Sequence, residues 1–291
     1  MRFTSIMLAM LIFLTVPAHA AQRATFNLSR TTNVFASPHD DVPATYISPQ
    51  TVTILQVQGH WMQISTWLGP KWINTDASEP LPQSQIDPAR PMIAITFDDG
   101  PNRYAAEILD VFEFHDARAT FFVLGESIDC FPEDVKRMHQ NGFDVFGHTY
   151  DHPRMTTLSE DDIAREISET HNQLEQLVGS PIPKLFRPPY GAYNAAVRSV
   201  AADLGFSIIH WSVCPADWTR QCPDEITRRV LNNVRDGDIV LLHDIHTPTA
   251  RAVRQLVPQL VAEGFQLVTV SDLLYYRGVT PQAGGVYRRL P

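Results

Sequence analysis

From Met92 onward, apolar runs of strand length alternate with segments whose apolar residues recur every three or four positions, and this constrains the fold more than any other feature. The run Met92–Phe97 ends at Gly100–Pro101, and Ile108, Leu109, Val111 and Phe112 then mark one face of a helix. Ala119–Leu124 reads as the next strand, followed by a short helix over Glu133–His139 and a strand over Phe143–Phe146. Ser159 caps a helix whose first turn is acidic (Glu160, Asp161, Asp162), and Ile163, Ile167, Leu174 and Leu177 carry it to Gly179. A helix over 194–204 leads into a strand over Ser207–Trp211, and Ile226, Val230 and Val234 mark a helix before the strand Ile239–Leu242. Val253, Leu256, Val257, Leu260 and Val261 mark a long helix with a kink expected at Pro258, and a strand over Gln266–Val270 closes the series. Repeated β–α units of this length predict a parallel sheet with helices outside it, open or closed into a barrel.

The first ninety residues are different. Arg2, the apolar stretch Ile6–Val16 and Ala18–His19–Ala20 have the form of a removed secretory signal, and Pro17 and His19 leave it too short for a membrane anchor. Residues 22–76 hold short β segments around Phe35, 44–47, 51–57, 61–65 and 71–73, which suggests a small barrel. Trp61, Trp67 and Trp72 are read either as the core of that barrel or as a binding surface. Residues 77–91, rich in Pro and polar residues, read as a linker. Export permits disulfides; Cys214 and Cys222 flank one expected loop, and Cys130 is expected to be buried. A formal net charge of −9 argues against a general nucleic-acid partner, and no later stretch is apolar enough to span a bilayer.

The polar groups that carry chemistry fall where strands end and loops begin. Asp98 and Asp99 follow the first strand; neighbours on an extended segment point in opposite directions, which suits a general base beside a metal ligand, or simply a turn that favours Asp before Gly. His148 and His152, four apart after the third strand, suit one metal ion if the loop between them turns like a helix, or are simply a satisfied surface or core pair among eleven His. With an Asp they compose an open site of three ligands, which leaves a place for water. Pro188 and Pro189 stiffen the loop that carries Arg187 and Tyr190. His243 ends an apolar strand, where it is costly to bury without a partner.

These motifs, TFDDGP at 96–101, HTYDHP at 148–153, RPPYG at 187–191, ADW at 216–218 and LLHD at 241–244, resemble in order and spacing the five motifs of the polysaccharide deacetylases of carbohydrate esterase family four. The resemblance implies an α/β fold, a distorted (β/α) barrel of about seven strands. It implies a divalent metal, zinc in most of the family, held by Asp99, His148 and His152. It assigns Asp98 as general base paired with Arg187, Tyr190 as the donor of a backbone N–H to the oxyanion, and His243 as general acid oriented by Asp217. Trp218, Leu241 and Pro189 would bind substrate. Cys214 stands where the family's fourth motif usually has an Asp, a departure that bears on local loop structure and substrate fit. The N-terminal β segments resemble bacterial Src-homology-3-like domains, whose implied partner is a cell-wall peptide.

The expected division is a signal peptide over 1–20, a small β-barrel domain over 22–76, a linker over 77–91, a deacetylase domain over 92–279 and a C-terminal tail over 280–291. The function implied is removal of N-acetyl groups from N-acetylglucosamine-type glycans, peptidoglycan or chitin oligosaccharides, by a periplasmic or extracellular enzyme. An O-acetyl xylan esterase and a non-catalytic wall-binding protein are the alternatives.

Overall fold

A computed structural model describes residues 25–28, 32–38, 40, 44–47, 50–58, 61–66, 69–74, 86–219 and 221–290. The expected signal segment, Trp67 and linker residues 77–85 lie outside them. Among the described residues no helix is long and apolar enough to cross a membrane.

The N-terminal region forms strands Thr25–Leu28 (β1), Thr32–Val34 (β2), Thr45–Ile47 (β3), Gln50–Gln58 (β4), Trp61–Thr66 (β5) and Gly69–Asn74 (β6). β1, β4, β5 and β6 pair antiparallel in that order, and β2 pairs with β3. Leu28, Val34, Ile47, Val52, Met62, Ile64 and Ile73 make a core of their own. Trp61 and Trp72 are buried, with the Phe35 ring edge-on to Trp61 at 5.1 Å, so both indoles belong to the interior and not to a surface.

The remainder is a curled parallel sheet wrapped by helices. Its strands are Met92–Asp98 (β7), Thr120–Val123 (β8), Asp144–Gly147 (β9), Leu185–Phe186 (β10), Ser207–Ile209 (β11), Ile239–His243 (β12), Gln266–Val268 (β13) and Val286–Tyr287 (β14). Ala105–Phe114 (α1), Gly125–Ile128 (α2), Pro132–Gln140 (α3), Glu160–Val178 (α4), Ala195–Asp203 (α5), Pro223–Asn233 (α6), Thr247–Ala262 (α7) and Val270–Tyr276 (α8) are the helices. The spatial order is β12-β7-β8-β9-β10-β11-β14, with β13 paired to the start of β7. The sheet curls until Val213, just past β11, bridges Val240 of β12, which gives the distorted barrel expected.

Strand alternation divides the core in two. Ile93, Ile95 and Phe97 face outward onto α1 and α7, where Phe97 stacks on Phe121 at 5.1 Å and meets Phe112 edge-on. Met92, Ala94, Phe122, Phe146, Leu185, Ile209 and Ile239 fill the barrel interior. α7 runs unbroken through Pro258. At α4, Ser159 Oγ accepts from the Asp162 N–H at 3.2 Å and Gly179 ends the helix in the left-handed region, as the sequence leads one to expect. Ser159→Ala is expected to lower unfolding free energy by about 1 kcal/mol, read as a lower urea midpoint with unchanged slope.

Candidate active site

The strand ends converge because the sheet is parallel: every chain segment leaves its strand on the same rim. On β7 the inward positions after Met92 and Ala94 are Thr96 and Asp98; on β12 they are Leu241 and His243, and the register sets His243 opposite Asp98. On β9 the alternation from Phe146 gives His148, and on β10 that from Leu185 gives Arg187. The ends of β12, β7, β9 and β10 thus set these residues on one rim.

Arg187 is the hub of the inner layer. It is wholly buried, with Nη1 donating to Asp98 Oδ1 at 2.6 Å and to Thr96 Oγ1 at 2.7 Å. Nε donates to the Ile209 carbonyl at 3.1 Å and Nη2 to the His210 carbonyl at 3.0 Å. The Phe122 ring lies 4.0 Å beneath the guanidinium. Burial pulls the Arg187 pKa down and the charge and hydrogen bond of Asp98 oppose it, so the pair is held as an ion pair in a dry place.

Asp99 breaks the strand alternation. Its backbone is left-handed (φ 74°), and it turns toward the same cleft as Asp98: His148 Nε2 is 3.6 Å from Asp98 Oδ2 and 3.4 Å from Asp99 Oδ1. His152 Nε2 is 3.3 Å from the same Asp99 oxygen. The loop between the histidines does not turn as a helix; Thr149 and His152 are themselves left-handed (φ 71° and 63°), and Thr149 Oγ1 accepts from the His152 N–H. Asp98 is thus tied to Arg187 and Asp99 to His152, with His148 Nε2 within reach of both.

This triad fits a cation. One ligand atom from each of Asp99, His148 and His152 lies within 4.8 Å of the others. His148 Nδ1 sits 2.7 Å from the Arg187 carbonyl and must carry its proton there, which leaves Nε2 as the atom turned toward Asp99 and available to a cation. Asp99 Oδ1 is buried with no hydrogen-bond donor to satisfy it. Burial raises the Asp99 pKa, but the imidazole of His148 beside it, and then the charges of His243 and His152, outweigh it and hold it at about 2. One carboxylate and two imidazoles turned toward one point have the composition of a divalent-metal donor set with open positions.

On the other side, Asp217 is buried and accepts from three donors: His243 Nδ1 at 2.9 Å, the His243 N–H at 2.8 Å and Thr249 Oγ1 at 2.8 Å. Burial pulls the His243 pKa down, but the hydrogen bond and charge of Asp217, with the charges of Asp98 and Asp99, push it up to about 9. Trp218 meets the His243 ring edge-on at 5.2 Å and stays half exposed (49%), Leu241 is buried beneath the cleft, and the exposed Tyr190 ring (59%) stands against His152 at 4.6 Å. Pro189 is buried in the turn that carries Tyr190, whose backbone is left-handed (φ 59°). The eleven residues anticipated from the motifs are thus gathered at one rim of the sheet, Arg187, Asp217, Leu241 and Pro189 buried behind the others.

Several neighbours were not anticipated. Thr96 is recoverable from the two-residue alternation with Asp98, but Thr249 and the Phe122 face beneath Arg187 carry no sequence signal. Glu166, which accepts from the Tyr150 N–H at 2.8 Å and so holds the histidine loop, carries none either. The three cysteines are free and exposed; Cys130, expected to be buried, sits in the short turn between α2 and α3.

Residues 85–209 match the model of the polysaccharide deacetylase family. The peptidoglycan-N-acetylmuramic acid deacetylase PdaC of Bacillus subtilis is 38% identical over 195 residues, 66% of this chain and 41% of that protein, so the chain spans less than half of that relative's length. Its solved structure superposes with a TM-score of 0.62 over 65% of this chain. A peptidoglycan-N-acetylglucosamine deacetylase of Bacillus cereus is 36% identical over 64% of this chain and 89% of its own length. A family 4 acetyl xylan esterase of Clostridium thermocellum, solved with a cobalt ion, is 28% identical with a TM-score of 0.64, covering 69% of this chain and 99% of the esterase. With its motifs on one barrel rim and relatives matched over nearly their full length, the chain belongs to the polysaccharide deacetylase family.

Proposed function

We propose that the protein is a divalent-metal-dependent hydrolase that removes N-acetyl groups from N-acetylglucosamine-type glycans, with zinc as the metal and acetate and a free amino sugar as products. The observation that carries this reading is the placement of two differently tuned pairs, Asp98–Arg187 and Asp217–His243, on either side of the Asp99–His148–His152 triad. Names of relatives that act on peptidoglycan favour a cell-wall glycan as substrate.

Asp99, His148 and His152 would hold the cation, which when bound polarises the acetyl carbonyl and makes a nearby water more acidic. Asp98, fixed by Arg187, takes a proton from the attacking water. The Tyr190 N–H faces the negative charge that develops on the carbonyl oxygen, a contribution of a few kcal/mol per donor in comparable sites. His243, oriented through Nδ1 by Asp217, gives its Nε2 proton to the departing nitrogen, without which the C–N bond does not part. Trp218, Leu241 and Pro189 border the space for the acetyl methyl and sugar.

The departing group separates this reading from the second one, O-deacetylation, which the likeness to the xylan esterase favours. An amine must be protonated to leave, whereas an alkoxide departs more readily. His243→Ala is therefore expected to lower amide turnover by about a hundredfold and ester turnover much less. An equal loss on both substrates would remove the acid role. The acid works only while protonated, so kcat falls as pH rises through the His243 pKa of about 9. A bound cation offsets the contributions of Asp98 and Asp99, placing the limb at or below that value, and Asp217→Asn moves it lower still.

The reading extends to export, with residues 1–20 as a removed signal and the product released outside the cytoplasm. We also assign residues 22–76 as an accessory barrel of the bacterial Src-homology-3 type. Burial of Trp61 and Trp72 leaves its proposed cell-wall peptide without those two rings to bind.

A further inference from the structure

His210 lies buried just past β11, and its ring takes no part in the chemistry above. Nε2 is 3.3 Å from the Gly191 carbonyl, and Nδ1 is 3.1 Å from Arg288 Nη1, with the Trp211 carbonyl farther off at 3.5 Å, the limit of a hydrogen bond. A guanidinium only donates, so Nδ1 must accept and the ring proton must sit on Nε2, the atom that faces Gly191. Arg288 thus selects the tautomer that donates to the loop. Burial, then the Arg288 charge, pull the His210 pKa down and keep the ring neutral. The ring is held flat on Trp211, centroids 4.0 Å apart, and Arg288 Nη2 also donates to the Tyr193 hydroxyl at 3.1 Å.

What this arrangement braces is the turn at Tyr190. Tyr190 and Gly191 are both left-handed (φ 59° and 61°), a region a side-chain-bearing residue keeps only where its surroundings fix it. A Cβ on Gly191 would come within 2.6 Å of both His210 Nε2 and Trp211, so the turn rests directly against the two rings. Arg288 reaches the ring because β14 extends the sheet. Its register pairs Ile208 with Val286 and Ile209 with Tyr287, and the His210 N–H donates to the Tyr287 carbonyl at 2.7 Å. The His210 carbonyl meanwhile accepts from Arg187, so one residue joins the base's partner and the turn.

We propose that Arg288 and His210 form a hydrogen-bonded brace, from the C-terminal strand to the Gly191 carbonyl, that keeps the Tyr190 turn in the conformation aiming its N–H at the reacting carbonyl. Both are positioning residues and neither touches substrate. The inference rests on the N-deacetylase reading for its kinetic consequence, but not for its structural one.

Two measurements test it together. The first is kcat and KM for acetate release by the zinc-loaded wild type and by Arg288→Ala, Arg288→Lys, His210→Ala, His210→Gln and the Arg288→Ala/His210→Ala pair. Because the brace serves one N–H donor, each Ala variant should lose about tenfold in kcat with KM within about twofold. His210→Gln keeps an N–H donor at similar reach and should recover most of the loss. The pair should be no worse than His210→Ala alone, since both act through one bond. Values of kcat within twofold of wild type, or additive losses that follow thermal stability and are not rescued by Gln, would overturn the brace. The second is amide hydrogen exchange over 187–193 in the wild type and in Arg288→Ala, a change at an exposed residue. Faster exchange in the variant is expected; unchanged exchange overturns the brace whether or not the enzyme is active. Absence of acetate from the wild type, with exchange altered as expected, would count against the functional reading and leave the brace standing.

Discussion

Asp98→Asn is expected to lower acetate release by about a thousandfold while leaving the metal in place. Asn matches Asp in volume and can still accept from Arg187 through its oxygen, but it cannot take a proton from water. The change also leaves the Arg187 guanidinium buried without its counter-charge, a loss of about 3–5 kcal/mol where a buried pair is broken from one side. Stability and chemistry must therefore be separated. Arg187→Lys keeps a positive charge beside Asp98 but gives up the planar fork that reaches the carbonyls of Ile209 and His210. It should cost comparable stability and much less turnover. If the two variants melt alike and lose activity alike, Asp98 is a structural partner and not the base.

Loss of the proposed metal ligands should be as severe. His148→Ala, or a chelator acting on the wild type, is expected to reduce turnover by about a thousandfold, with zinc or cobalt restoring the chelated enzyme only. His148 is the ligand to remove because its ring is fixed most firmly: Nδ1 is tied to the Arg187 carbonyl and the side chain is buried at the end of β9. Metal content by mass spectrometry gives a readout independent of turnover. Wild type should carry about one ion per chain and His148→Ala should carry little. Full activity in metal-free wild type would exclude the triad from the reaction.

The sheet was legible in the sequence because its strands, buried on both faces, read as continuous apolar runs of strand length. Met92–Phe97, Ala119–Leu124 and Ile239–Leu242 could be read before any coordinates, and the five motifs fell at strand ends. What stayed hidden is long-range or short. β10 is two residues ahead of a proline-rich loop, too brief for a period, and β14 lies in a segment that reads as a polar tail. Their pairing with β9 and β11 places Arg187 and Arg288, so the brace was invisible without the barrel's closure. The backbone of the site was equally hidden. Asp99, Thr149, His152 and Tyr190 are left-handed without being glycine, against their own preference, and only surrounding contacts fix them there. Alternation therefore misdirected Asp99 away from Asp98, where the left-handed turn brings both against His148.

The most direct test of the account is acetate released over time from an N-acetylglucosamine oligomer, chitin-type or peptidoglycan-derived, by the mature protein loaded with zinc, by the same protein after chelation, and by Asp98→Asn. The account predicts metal-dependent acetate from wild type, recovered on adding zinc back, and at most a trace from Asp98→Asn. Acetate from acetylated xylan but from neither glycan, or equal release with and without metal, would contradict it.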